Sequence, residues 1–180
     1  ELNAPFTLNV VPSLLDQLLH YAQGGSDPWL DVARVPAEHL TASQVDFIRA
    51  HFVHGHAAMR ISPRHKDLAQ RAAGLSSATE LRDLQVWSNL AWIGFVGRRD
   101  PLVRELLAQD RDFSHDQLLA LLALQQRMVA GVLDLWRRVP SVSTSPYNHP
   151  ILPLLMDLSH ARRALPKLRD LPHFCWPDDA

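Results

Sequence analysis

The chain has 180 residues, enough for one domain with a sizeable core. Apolar residues make up 47% and charged residues 21%, an ordinary globular balance that excludes a disordered composition. Lys plus Arg is 18 against 19 for Asp plus Glu, so the net charge of -1 carries no basic excess for nucleic acid or an anionic membrane.

"FTLNVVP" (Phe6 to Pro12) alternates and is rich in β-branched residues, so it predicts a short strand. Pro12 and Ser13 open an amphipathic helix, "SLLDQLLHYAQ", which Gly24 and Gly25 stop. Trp29, in "SDPWLD", is read on a loop, with a place at the rim of a site as the minor alternative. "TASQVDFIRAHF" begins on a Thr or Ser cap and puts Val45, Ile48 and Phe52 on one face. "SPRHKDLAQRAAG" reads as a Ser-capped helix with Pro63 at its first position and Gly74 past its end.

"TELRDLQVWSNLAWIGFVG" predicts a helix from Thr79 to Gly97 that is apolar around most of its girth, hence buried on several sides. "PLVRELLAQ" gives a short helix. A long one follows from "SHDQLLALLALQQRMVAGVLDLWRRV", with Ser114 as N-cap and Arg137 and Arg138 near the dipole's negative end. Its stripes of Leu118, Leu122, Val129, Val132 and Trp136, and of Leu121, Leu124, Met128 and Leu135, predict core. "SVSTS" (Ser141 to Ser145) is a second strand, "ILPLLMDLSHARRAL" a last helix, and "PKLRDLPHFCWPDDA" a proline-punctuated tail.

The only cysteine, Cys175, forbids an internal disulfide and a four-cysteine zinc site, and fits a reducing, cytoplasmic location. No signal peptide and no apolar run of membrane length is read, and a start at Glu1 suggests a piece of a longer protein. Strand–helix (1-35), a helical block (36-140), then strand–helix and tail (141-180) is the pattern of a single partial α/β unit with a helical insertion. Two strands cannot make a sheet core alone, and their unpaired edges predict self-association. The fold class expected is mainly α with two or so short parallel strands.

Four segments, "TLNVVPSLLDQL", "ELRDLQVWSNLAWIGF", "STSPYNHPILPLL" and "FCWPDDA", come in the order seen in glycoside hydrolase family 57. The chain resembles most the amylopullulanase-like branch, of which "DLRDLQVWFNLAWF" and "TSPYYHPILPLL" are typical. The resemblance implies an incomplete (β/α)7 barrel that acts on α-glucans with retention. It implies a Glu nucleophile and an Asp general acid/base, a pair roughly 5 Å apart in such enzymes. The family's His-Gln-Pro motif falls before Glu1 and both carboxylates fall beyond Ala180, so the chain by itself is expected to be inactive. The alternative is a non-catalytic helical interaction module of the same ancestry.

Within this chain the resemblance and side-chain chemistry nominate substrate-binding residues. His149 can donate to and accept from sugar hydroxyls, and Tyr147 can stack on a pyranose face. Trp87 and Trp92 are sugar platforms by type, with core packing as the competing role. Asp83 joins them, with a helix cap or an ion pair to Arg82 or a neighbour as its competing role. His51, His54, His56 and His65 have spacings that suit zinc, but no carboxylate shares their segment and the family needs no metal there, so no metal or cofactor is expected. Ser143, Thr144 and Ser145 lack a nucleophile elbow.

Overall fold

The computed structural model describes residues 5–53, 57–60 and 62–172. The chain is mainly helical, with one two-stranded parallel sheet among the described residues. Strand β1 (Leu8–Val10) pairs with β2 (Val142–Thr144) in the register Leu8↔Val142, Asn9↔Ser143 and Val10↔Thr144. The helices are α1 (Pro12–Ala22), α2 (Pro28–Ala33), α3 (Ala42–His51), α4 (Pro63–Gln70), α5 (Ala78–Ala91), α6 (Pro101–Gln109), α7 (His115–Arg137), α8 (Leu152–Met156) and α9 (Ala161–Ala164). The chain divides into two compact units, residues 1–19 with 132–180, and residues 20–131, the boundaries falling inside α1 and α7.

In the first unit β1 is followed at once by α1, and β2 by the Pro146–His149 turn and α8. Side chains reinforce the short ladder: Thr144 Oγ1 donates to the Val10 carbonyl at 2.9 Å, and the Thr7 and Ser141 hydroxyls meet at 2.9 Å. All three residues of β2 are exposed. The last helix expected from "ILPLLMDLSHARRAL" is broken. Asp157 is extended (φ -156, ψ 111), and its side chain accepts from Ser159 N at 2.8 Å. An aspartate so placed caps the following turn in preference to continuing the helix before it.

The helical unit is built around α5. Leu81, Leu84, Val86, Trp87 and Leu90 are all buried there, as the girth of apolar residues predicts. Against them pack Ile48 and Phe52 of the α3 end, Leu68 of α4, Val103 and Leu106 of α6, and Leu118, Leu121, Leu122 and Leu124 of α7. Burial of side chains this size stabilises by about 1.5–3 kcal/mol each relative to exposure. The caps follow the sequence. Thr41 and Gln44 form a reciprocal capping box, Ser62 Oγ accepts from Arg64 N, and Ser114 and Gln117 exchange bonds at 2.9 and 3.1 Å.

Further expectations are corrected, among them the core stripe of α7, from which Leu135 departs at 63% exposed. Helix α5 stops at Ala91, six residues before Gly97, because Trp92 and Ile93 turn to tighter bonds onto Asn89 and Leu90. Gly97 then approaches Ile93 and Met128 so closely that a Cβ there would lie 2.8 and 2.9 Å from their side chains. Trp29 sits in α2, whose N-cap is Asp27 with Pro28 at the first helical position. Helix α7 is long and apolar enough to cross a membrane by length and composition, contrary to the sequence reading. Its Leu118, Leu121, Leu122 and Leu124 are core residues of the helical unit.

Candidate functional site

A hydrogen-bonded turn follows the carboxyl end of β2. Pro146 fixes its own φ, and His149 N donates back to the Pro146 carbonyl at 2.8 Å. His149 itself is left-handed, at φ 52, immediately before Pro150. A proline disfavours the right-handed helical conformation in the residue before it. A non-glycine residue held there costs on the order of 1–3 kcal/mol, the sort of strain that clusters at ligand sites.

Helix α1 locks the turn. The Ser13 amide donates to the Tyr147 carbonyl at 3.1 Å, and the Tyr147 hydroxyl donates to the Asp16 carboxylate. That hydrogen bond, with the carboxylate's negative charge, raises the phenol's pKa above its ordinary value and keeps it protonated. The hydroxyl is therefore satisfied while the residue remains 54% exposed. Asn148 and His149 are exposed as well. Of the residues nominated from sequence, the structure brings Tyr147 and His149 together. Asp16, which positions Tyr147, carried no sequence signal beyond its place in the first turns of α1.

The other nominees lie in the helical unit. Trp87 is 1% exposed and occupies the core. Its indole N–H donates to the Asp110 carbonyl at 2.9 Å, His65 stacks on it at 5.7 Å, and Phe113 meets it edge-on at 6.2 Å. Asp83 is fully buried and accepts from Arg64 Nη2 at 2.8 Å, Arg64 Nε at 3.2 Å and Phe113 N at 3.2 Å. Neither residue presents a surface to a saccharide in this chain; both hold the core. The ion pair is made with Arg64, while Arg82 pairs with Glu38. Trp92, at the end of α5, is 67% exposed.

Among the described residues no three His, Cys, Asp or Glu side chains are grouped to hold a metal. His51 packs against Trp29 and Phe47, at 5.5 and 4.4 Å between ring centres, and His65 against Trp87. His54, His56, Cys175 and the "FCWPDDA" segment lie outside the described residues. No protein-family model, curated protein or solved structure matches the chain.

Proposed function

We propose that this chain is part of a retaining glycoside hydrolase or transglycosylase acting on α-glucans, similar to family 57, with the Pro146–His149 turn as one wall of the substrate cleft. One observation carries the reading: Tyr147 and His149 are exposed together at the carboxyl end of a parallel strand, beside the start of the helix that follows its partner strand. Parallel α/β sheets and barrels bind their ligands at that edge. The four ordered sequence segments support it independently. On this reading β1 and β2 are two strands of an incomplete (β/α)7 barrel.

The chemistry of retention needs a nucleophilic carboxylate and a second carboxyl that protonates the leaving oxygen, then activates water. The resemblance puts both outside these 180 residues. What this chain supplies is orientation. The His149 imidazole can both donate to and accept from sugar hydroxyls. The Tyr147 ring, fixed by Asp16, offers an apolar face to a pyranose.

The test is titration of the ¹⁵N-labelled chain with maltotriose, following the imidazole resonances, with glucan hydrolysis assayed alongside. The His149 signals should move and no hydrolysis should appear. Unmoved His149 signals, or clear hydrolysis by the chain alone, would sink the reading. The second reading, a helical interaction module, draws on the exposed apolar run of Trp92, Phe95 and Val96 just past α5. It predicts no response to any glucan anywhere in the chain.

A further inference from the structure

The helical unit contains a cleft of about 540 Å³, formed by the last turn of α1, the segment through α2, the end of α5 and the middle of α7. That volume is in the range of small-ligand sites. Its lining combines two accessible indoles with a small set of polar groups. Trp29 is 49% exposed and Trp92 is 67% exposed. Trp29 is braced edge-on by Phe47 at 5.3 Å, so its ring is held in place without a ligand.

The polar groups are partly committed, and the pattern of commitment is informative. Asn89 Nδ2 donates to the Gln85 carbonyl at 2.8 Å, and Gln125 Nε2 donates to the Asn89 carbonyl at 3.1 Å. Both amides therefore spend donors on backbone and leave their side-chain carbonyl oxygens as acceptors. Asp27 receives the Tyr21 hydroxyl at 2.5 Å and the Leu30 amide at 2.8 Å. Burial pushes its carboxyl up, but those bonds, with the Trp29 amide and the Arg34 charge, outweigh it and leave the group lowered and ionised. The guanidinium of Arg34 bonds Ser26 Oγ at 3.3 Å and adds donors to the same cleft.

From this lining we infer that the cleft is a saccharide subsite, taking a short, neutral oligosaccharide with a C–H face against Trp92, the more exposed of the two indoles. Hydroxyl groups match the arrangement because each both donates, to Asn89 and Gln125, and accepts, from Arg34. Among the described lining residues the Arg34 charge is offset by that of Asp27, so the cleft makes no demand for a charged ligand. An apolar ligand would leave the Asn89 and Gln125 side-chain carbonyl oxygens without the donors that a hydroxyl supplies, at a cost. That the sugar is an α-glucan rests on the function proposed above; the subsite itself rests on the cleft.

The experiment uses the whole chain and tryptophan fluorescence, with maltotriose, cellotriose and adenosine as ligands. Maltotriose should shift the emission and bind better than either comparison ligand. Trp92→Ala should weaken binding roughly tenfold, the worth of one aromatic contact, with Trp92→Phe restoring part of it. Trp92 is on the surface, so its loss should leave the fold intact, checked by circular dichroism. The His149 resonance response to maltotriose should survive Trp92→Ala. Unchanged fluorescence titration in Trp92→Ala, or adenosine binding more tightly than maltotriose, overturns the subsite while the His149 response decides the function separately. Cellotriose binding as tightly as maltotriose removes the α-glucan assignment and leaves the saccharide site standing.

Discussion

His65 gives the helical unit a dependence on pH that can be worked out in advance. The ring is buried at the start of α4, stacked on Trp87, and its Nδ1 has no hydrogen-bond partner. Burial, with the nearby Arg60 charge, lowers its pKa from 6.5 to about 4. The unfolded chain therefore binds a proton below pH 6.5 that the folded chain refuses until about pH 4. Stability from this source is complete above the unfolded value and is lost as the pH falls through the window between the two. The slope there is about 1.4 kcal/mol per pH unit, so lowering the pH from 7 to 5 should cost about 2 kcal/mol. His65→Phe keeps an aromatic ring against Trp87 and removes the titration. Urea unfolding of both proteins at the two pH values, followed by far-ultraviolet circular dichroism, measures the difference. The wild type should lose about 2 kcal/mol more than the variant on acidification. Equal losses would refute the claim that the folded unit excludes a charged imidazole.

The remaining predictions concern the same unit. Asp83→Ala removes the buried partner of Arg64, which keeps only the longer pairs to Asp67 at 3.7 Å and Glu80 at 3.9 Å, and leaves the Phe113 amide without its acceptor; it should lower stability by about 3 kcal/mol in thermal unfolding. An effect near zero would mean the pair is solvated. Gly97→Ala forces a methyl group against Ile93 and Met128 and should cost roughly 1–3 kcal/mol by the same assay, while Gly74→Ala, where a Cβ meets nothing within 4 Å, should not clash. Thr41→Ala removes one half of the capping box of α3 and should cost about 1 kcal/mol in urea unfolding.

The local elements were largely legible in the residues. Caps are short-range chemistry, so Thr41, Ser62 and Ser114 announced their helices, and Pro63 announced its first turn. The apolar girth of α5 announced burial, because no surface helix tolerates it. The two short strands were also readable, though as longer stretches (6–12 and 141–145) than the three residues each that pair, and their pairing across more than a hundred residues of intervening chain was not. Helix α2 escaped notice, since six residues carry too little periodicity to separate a turn from a loop.

The division of roles among like residues was a different matter. Trp87 and Trp92 are five positions apart, a spacing that puts them on different sides of a helix. One became the centre of the core and the other its exposed end. The pattern showed two tryptophans in an apolar stretch. Which one faced solvent depended on where α5 stopped and what packed against it. The same holds for the cleft: the Asp27–Trp29 segment, Asn89 and Gln125 are distant along the chain, and only packing gathers them. Sequence alone determined where the capped helices α3, α4 and α7 begin, that α5 is apolar around most of its girth and that Tyr147 and His149 share a turn. Tertiary structure decided which aromatics remain exposed and which polar groups keep unspent acceptors, because burial is a property of neighbours and not of the residue itself.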